Sequence, residues 1–160
     1  MEHSIRPATE GDATTIATVF NHYVAKATMV LLPRNAEDYA PLITNERAAV
    51  FVAADADNHV SGFAYVKPYS DRGGYALAGE ITIFLDPELT GKGLGEALYA
   101  TLMPVSDTLG YRHLTARIWA NNAGSIRFHK RHGFRLVGTQ VGIGLVGDKR
   151  IDTVIMEKVW

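Results

Sequence analysis

The sequence contains no cysteine among its 160 residues. This absence excludes disulfides, thiolate metal ligands and a covalent cysteinyl intermediate. Any group transfer by this chain must therefore use another nucleophile, or none.

The chain also lacks an excess of charge of either sign. Its 16 lysines and arginines against 17 aspartates and glutamates give a formal net charge of -1. A sequence with this balance offers no basic face, so sequence-independent attraction to nucleic acid or to an anionic membrane surface is weak. We expect a small molecule as the partner, with no nucleic acid and no membrane.

Long apolar runs are absent as well. No run reaches the length that spans a bilayer, and the opening MEHSIRPATEGD lacks the basic and apolar regions of a secretion signal. The sequence therefore predicts a cytoplasmic protein. With 47% apolar and 21% charged residues, the composition is typical of a globular protein, and the length fits one domain, residues 1–160, around one core.

Apolar periodicity predicts an α/β (α+β) fold. Predicted strands are Ser4–Arg6, AAVFVAAD and VSGFAYVKPY as a hairpin, GEITIFLDP, RHLTARIWA, Phe134–Val141 and Asp152–Val159. The first predicted helix follows Asp12 and has an apolar face from Ile16 to Val24. The other predicted helices are Ala40–Asn45, Glu96–Leu109 and a last one that runs from Asn121 or Asn122 to His132. Pro104 should kink or shorten the third helix. The result is a mixed sheet of six or seven strands with helices on both faces.

The stretch LTGKGLGEALYATL, residues 89–102, places three glycines at alternate positions before a helix. It is not a dinucleotide fingerprint, because the sixth position counted from Gly91 is Glu96 and from Gly93 is Leu98. It is not a Walker phosphate loop either, because Lys92 is followed by glycine.

A strand, a tight glycine turn and a helix start remain. This geometry points backbone N–H groups and the positive end of a helix at one place, which favours phosphate. Alternating glycines also leave the main chain accessible to a diphosphate. The alternative is that the glycines only turn the chain, and the turn alone favours neither interpretation.

Two segments together, EITIFLDPELTGKGLGEALYATL and NNAGSIRFHKRHGF, resemble the acyl-CoA-binding core of the GCN5-related N-acetyltransferase (GNAT) superfamily. The turn of that superfamily reads Gln/Arg-x-x-Gly-x-Gly/Ala and cradles the diphosphate of coenzyme A. Gly93 and Gly95 match its glycines, and Thr90 stands where Gln or Arg is usual. The resemblance implies acetyl-CoA as cofactor. The cofactor-binding residues it implies are Ile83, Phe84, Leu85, Thr90, Gly91, Lys92, Gly93, Leu94, Gly95, Glu96, Asn122 and Ser125.

Within the superfamily the chain is most similar to the phosphinothricin and methionine sulfone acetyltransferase branch, through IRPATEGD, FNHYV, YSDRGGYALAGE and DTVIMEK. Two segments that border the acceptor pocket in that branch depart from its pattern. ATMVLL lacks a Thr-x-x-Phe-like pattern, and Arg150 and Ile151 precede Asp152 where a tryptophan is usual. The resemblance implies a homodimer that acetylates a small amino acid or its analogue.

Direct attack of an amine in a ternary complex needs a base and a proton for the leaving thiolate. The resemblance implies Glu80 as the base, acting directly or through water, and His129 as the proton donor. From the residues alone, Glu80 is a solvated strand-end residue and His129 a helix histidine without a task, as is His132. His129 and His132 lack a third ligand at zinc-site spacing, so no metal is expected.

Arg72 and Tyr75, in SDRGGY, match the branch's arginine-containing loop, which implies that Arg72 clamps the acceptor carboxylate. The alternative is a plain loop charge. Other amines, namely a polyamine, an aminoglycoside or a protein N-terminus, and a non-catalytic acyl-CoA-binding module are the competing functions.

Overall fold

The computed structural model describes residues 2–25 and 32–160, and a mixed seven-stranded sheet runs through them. The strands are β1 (Ser4–Pro7), β2 (Ala49–Ala54), β3 (Val60–Pro68), β4 (Ala78–Leu85), β5 (His113–Trp119), β6 (Arg135–Val146) and β7 (Lys149–Val159). Their order is β1-β2-β3-β4-β5-β7-β6. β4 and β5 run parallel, and the other neighbours are antiparallel. The predicted mixed sheet is confirmed, with seven strands.

Helices cover both faces of this sheet, as predicted. They are α1 (Ala13–Ala25), α2 (Ala36–Ile43), α3 (Leu94–Thr108) and α4 (Ala123–Arg131). On one face α1 and α2 pack on β2 and β3 around Ile16, Phe20, Tyr39 and Phe63. On the other face α3 packs around Leu98 and Leu102, with Phe128 of α4 against the same core. Within the described residues, none of the helices has the length and apolar character to cross a membrane.

An ion pair fixes the entry into α1. The carboxylate of Asp12 accepts a hydrogen bond from the backbone N–H of Thr9 at 2.7 Å, at the capping-box spacing seen in the sequence. Both terminal nitrogens of Arg6 bond to the same carboxylate at 2.8 Å. This hydrogen bonding with Arg6 holds the pKa of Asp12 well below its ordinary value. β1 is thereby tied to the helix that follows it.

Two helices begin earlier than predicted. α2 begins at Ala36 rather than Ala40 and ends at Ile43, because Asn35 acts as its cap, accepting from the N–H of Glu37 at 2.9 Å. α3 begins at Leu94, directly after the turn, and continues past Pro104 to Thr108. Of the two effects predicted for Pro104, the shortening of the helix does not occur.

β6 and β7 are longer than predicted. The segment GIGLVGDK was expected to be a loop, yet β6 runs to Val146 and β7 starts at Lys149, so only two residues connect them. The register of this pair is irregular between Gln140 and Gly144. Most of ATMVLL, which departs from the branch pattern, lies outside the described residues.

The parallel strands β4 and β5 separate along their length. They pair only over Ala78–Glu80 with His113–Thr115, although β4 continues to Leu85 and β5 to Trp119. Beyond Glu80, β4 keeps its pairing with β3 and loses its pairing with β5. One sheet edge of β4 is therefore open at the place where the sequence leads into the glycine turn.

Candidate active site

A cleft of about 800 Å³ occupies the space where β4 and β5 separate. Its walls come from both strands, the glycine turn, α4 and one residue of α1. The lining residues predicted from the sequence are Ile83, Phe84, Leu85, Thr90, Gly91, Gly93, Gly95, Glu96, Asn122, Ser125 and His129. The structure therefore brings most of the predicted site residues together around one opening.

The glycine turn has a backbone that favours glycine at two positions. Gly91 has a φ of 73° and Gly93 a φ of 87°, a region where other L residues are strained. A Cβ built on either residue would meet no atom of residues 2–25 and 32–160 within 4 Å. The main chain of the turn is therefore bare on the side that faces the cleft.

The first turn of α3 adds free donors to this surface. The first hydrogen bond of this helix runs from the N–H of Ala97 to the carbonyl of Gly93 at 3.0 Å. The N–H groups of Leu94, Gly95 and Glu96 precede it, so they have no carbonyl partner within the helix. Together with the positive end of the helix, these donors give the turn the groups that an anion site needs.

The side chain of Thr90 bonds to the backbone of the turn itself. Its hydroxyl donates to the carbonyl of Pro87 at 3.0 Å. Where the superfamily pattern has Gln or Arg, this chain therefore has a side chain engaged in the turn itself. The anion site depends on main-chain donors.

Glu96 would place a negative charge beside the donors of the first turn of α3, but Arg131 at the end of α4 offsets this charge, and His132 follows Arg131 on the same side. Arg131 donates to Oε1 at 2.9 Å, and Nε2 of His132 lies 2.6 Å from Oε2. The hydrogen bond from Arg131 is the main reason that the pKa of Glu96 is lowered. His132, which the sequence left without a task, thus links α3 to α4, and its ring also lies 4.0 Å from the ring of Tyr99.

Asn122 caps α4. Its Oδ1 accepts from the N–H of Ser125 at 3.1 Å, and both residues line the cleft. The choice between Asn121 and Asn122 as cap is settled in favour of Asn122.

His129 is buried, with 6% of its surface exposed. Its Nδ1 lies 2.8 Å from the carbonyl oxygen of Ser125, so Nδ1 carries the hydrogen of the neutral ring and Nε2 is left for the cleft. Burial lowers the pKa of His129 below its ordinary 6.5, the Ser125 carbonyl raises it in part, and nearby His132 lowers it. The imidazole of His129 is therefore mostly neutral at pH 7.

We predict that the imidazole of His129 titrates below pH 6.5 in the free protein. Because its pKa is lower in the folded than in the unfolded chain, the unfolded chain binds the extra proton as pH falls through 6.5, and the stabilising contribution of neutral His129 falls with it. NMR titration of the histidine ring shifts measures the midpoint. A midpoint for His129 at or above pH 6.5 contradicts this prediction.

Glu80 lies at the last paired position of β4 and β5, opposite Thr115. Its side chain is 11% exposed and lies between two cations. Nε of Arg117 donates to Oε2 at 2.8 Å, a terminal nitrogen of Arg117 bonds to the same oxygen, and Nζ of Lys67 lies 3.7 Å from Oε1. Glu80 itself is not among the lining residues of the cleft, whereas its partner Arg117 is.

Four other predicted residues lie away from the lining. Lys92 is exposed, and Leu94 packs against the core. Arg72 is the N-cap of a short turn of 3-10 helix before β4, Gly73–Tyr75, and Tyr75 is the last residue of that turn. Both side chains are exposed. The structure therefore brings Arg72 and Tyr75 to the same end of β4 as Glu80 without placing them on the cleft.

Sequence reasoning missed several lining residues. These are Tyr23, Ile81, Thr82, Ala116, Arg117, Ile118, Gly124, Arg127, Phe128 and Arg131. The alternation in RHLTARIWA already put Arg117 on the polar side of its strand, and Arg127 and Arg131 are one helical turn apart. Neither pattern identifies a ligand, because exposed arginines on strands and helices are common.

The chain matches a family model over most of its length. Residues 5–155 match the family described as acetyltransferase (GNAT) domain.

Curated relatives agree with that match. The chain is 32% identical over 150 residues to a phosphinothricin N-acetyltransferase of Streptomyces coelicolor, a match that covers 89% of this chain and 88% of the relative. It is 26% identical over 162 residues to an L-methionine sulfoximine/L-methionine sulfone acetyltransferase of Pseudomonas aeruginosa, covering 98% and 94%. Among solved structures, a phosphinothricin acetyltransferase of Sinorhizobium meliloti in complex with AcCoA superposes with a TM-score of 0.89 at 29% identity, covering 99% of this chain and 89% of that one.

Proposed function

We propose, since the chain belongs to the acetyltransferase (GNAT) family, that it transfers an acetyl group from acetyl-CoA to the primary amine of a small amino acid or amino-acid analogue. Acceptors of the phosphinothricin and methionine sulfone or sulfoximine type are those that the names of its relatives suggest. The observation that carries the proposal is the glycine turn beside the cleft between β4 and β5, at the place where these two strands separate. The cytoplasmic location stays a prediction.

Features of this chain fit coenzyme A. A diphosphate needs several N–H donors and no obstructing side chain, which Gly91, Gly93 and the first turn of α3 offer. The open edge of β4 from Ile83 to Leu85 offers backbone groups to an amide-containing arm, as it would to another strand. Asn122 and Ser125 face this edge across the cleft. When bound, acetyl-CoA supplies the acetyl group as an activated thioester.

Two protons must leave the acceptor nitrogen when an ammonium group becomes an amide. In our proposal Glu80 accepts the first, directly or through water, which leaves the amine able to attack. The second proton is needed by the thiolate of coenzyme A, which leaves as the amide forms. Because His129 is neutral at pH 7, its Nε2 takes this proton from the nitrogen and passes it to the sulfur. The transfer is direct, within a ternary complex.

A panel of amines tests the proposal through the release of free thiol from acetyl-CoA. The panel contains methionine sulfone and phosphinothricin, a polyamine, an aminoglycoside and an N-terminal peptide. We expect amine-dependent release with the amino-acid analogues at the highest kcat/KM. Higher kcat/KM for another class would assign that acceptor instead, and binding of acetyl-CoA without release with any amine would favour a non-catalytic acyl-CoA-binding module.

Arg72 is our candidate for the clamp on the acceptor carboxylate. Its guanidinium stands in an exposed loop before β4, free to meet a carboxylate in a bidentate pair. We predict that Arg72→Ala raises the KM for an amino-acid acceptor by about tenfold or more, as loss of a charged hydrogen bond does, while the KM for a cationic amine stays the same. Steady-state kinetics with both acceptors measures this, with Arg34→Ala, another exposed arginine, as control. Equal effects on both acceptors would contradict the clamp, and Tyr75→Phe tests the hydroxyl beside it.

We also propose a homodimer through β6. This edge strand carries exposed apolar side chains at alternate positions, Val141 at 78%, Ile143 at 58% and Leu145 at 62% exposure. A long apolar edge strand is a ready site for pairing with another chain. In a two-fold dimer, the β6 strands of the two copies would cover each other's exposed side chains.

The molar mass of the protein in solution tests the dimer directly. We predict twice the 17.5 kDa of one chain by light scattering. The double substitution Val141→Lys and Ile143→Lys should give the mass of one chain, because charge on an edge strand opposes pairing. Thr18→Lys on the exposed side of α1 is the control. A wild-type protein with the mass of one chain at all concentrations would contradict the proposal.

A further inference from the structure

One carboxylate oxygen of Glu80, the base in the proposed function, is held by a cation in this structure. Arg117 donates to its Oε2 with Nε at 2.8 Å and with a terminal nitrogen, and Lys67 faces its Oε1 at 3.7 Å. Two charged hydrogen bonds occupy Oε2, so this oxygen has no lone pair free for the ammonium group of an acceptor. Before Oε2 can contact that ammonium group, Arg117 must move.

Arg117 is the cation that can move into the cleft. It lines the cleft, and its side chain is 56% exposed against 11% for Glu80. It extends from β5 two residues beyond the last pair with β4, where the strands separate. Lys67 does not line the cleft, and it stands directly across β3 and β4 from Glu80.

The three side chains share one face of the sheet. Lys67 is paired with Glu80, Glu80 with Thr115, and Arg117 follows Thr115 by two positions, so all point the same way. Two positive charges and one negative charge leave this cluster with a net charge of +1. Such a cluster attracts an acid group and disfavours a cationic acceptor.

We propose that Arg117 determines acceptor specificity by exchanging its bond with Glu80 for one with the acid group of the acceptor. This inference rests on the proposed function. The acceptor's carboxylate, whose two oxygens can accept from Arg72 and from Arg117 together, takes the guanidinium of Arg117. Oε2 of Glu80 is then released beside the ammonium group, where it accepts one proton as the N–H bond breaks and an O–H bond forms. The acceptor's own acid group thereby frees the base. An acceptor without an acid group leaves Glu80 bound to Arg117.

The test compares an amino-acid acceptor with its carboxamide, for example methionine sulfone and methionine sulfone amide. For the wild type we expect the amide to have a kcat at least about tenfold lower than the acid, since a charged hydrogen bond must break without replacement. In Arg117→Gln, which cannot hold Glu80 as an ion pair, this ratio should fall to near one, with the kcat for the amide above that of the wild type. A structural role alone would lower both values and leave their ratio unchanged.

Two matched variants complete the design. Lys67→Gln removes a positive charge from the same carboxylate but not from the cleft, so the acid-to-amide ratio should stay near that of the wild type. Arg117→Lys keeps the charge and should retain a preference for the acid, which also gives a readout if Arg117→Gln folds poorly. The dissociation constant for acetyl-CoA, measured for each variant, reports that the cofactor site is intact.

The outcomes separate the two proposals. An unchanged acid-to-amide ratio in Arg117→Gln, with acetyl transfer still measurable, overturns the role of Arg117 and leaves the proposed function in place. A ratio that collapses equally in Lys67→Gln also overturns it, because charge alone would then explain the preference. No transfer to any amine by the wild type contradicts the proposed function and this inference with it.

Discussion

Glu80→Gln should lower kcat by about 10²- to 10⁴-fold, the range that removal of a general base typically gives. The amide keeps the shape of the carboxylate but cannot accept the ammonium proton. Acetyl-CoA binding should be unchanged, because Glu80 lies outside the lining of the cleft. Single-turnover kinetics and calorimetry with acetyl-CoA measure the two effects.

The substitution also removes the negative charge between Arg117 and Lys67, so a control for lost ion pairing is needed. Glu157 is such a control: it bonds to His113 at 2.9 Å, also pairs with Arg135, and its side chain is 15% exposed. It lies on the same sheet face, opposite Thr115, but not on the cleft. Glu157→Gln should lose stability similarly and keep its kcat. Unchanged turnover in Glu80→Gln would remove Glu80 from the mechanism and leave the family membership intact.

Gly93→Ala should weaken acetyl-CoA binding by about 10- to 100-fold. The added methyl group would meet no atom of the described residues within 4 Å, so the variant can fold around it. Because Gly93 lines the cleft, the methyl group would take space that the proposed function gives to the diphosphate. Displacing the diphosphate from one or two backbone donors loses charge-assisted hydrogen bonds of about 1.5 to 3 kcal/mol, and each 1.4 kcal/mol corresponds to about tenfold in affinity. Calorimetry with acetyl-CoA measures this loss.

Gly110 is a close match for Gly93. Its φ is 88° against 87° for Gly93, and a Cβ there would also meet nothing within 4 Å. It follows α3 and lies away from the cleft lining. Both alanine variants should lose about 1 to 2 kcal/mol of stability from the left-handed backbone, but Gly110→Ala should bind acetyl-CoA as the wild type does. Equal affinity in the two variants would mean that the turn does not hold the cofactor.

Local patterns in the sequence predicted much of the fold. The hairpin of β2 and β3, the strand that ends at Asp86 and Pro87, and the cap of α4 at Asn122 each depend on neighbouring residues, and they are confirmed. The predicted boundaries of α2 and β6 were wrong because neighbouring residues favour different structures there. Asn35 starts α2 although Pro41 lies inside it, and the glycines of β6 are held in a strand by pairing with β7.

The sequence predicted the part of the cleft lining that the glycine turn and α3 supply, but not the pair of Glu80 and Arg117. The glycine turn and α3 follow one another in the chain, so a single stretch of sequence shows that they lie together. The pair of Glu80 and Arg117 joins residues 37 positions apart, and it exists because β4 and β5 are parallel neighbours that separate after three residue pairs. Likewise, the lowered pKa of His129 comes from burial by the folded chain, which the sequence of its helix does not encode.

The central claim is that backbone N–H groups between Leu89 and Glu96 hold the diphosphate of acetyl-CoA and so lay its thioester along β4. A crystal structure of this chain with coenzyme A tests it most directly. The account predicts the diphosphate oxygens within hydrogen-bonding distance of the N–H groups of the turn and the first turn of α3, with the thiol end between β4 and β5. A diphosphate bound elsewhere on the protein would contradict it.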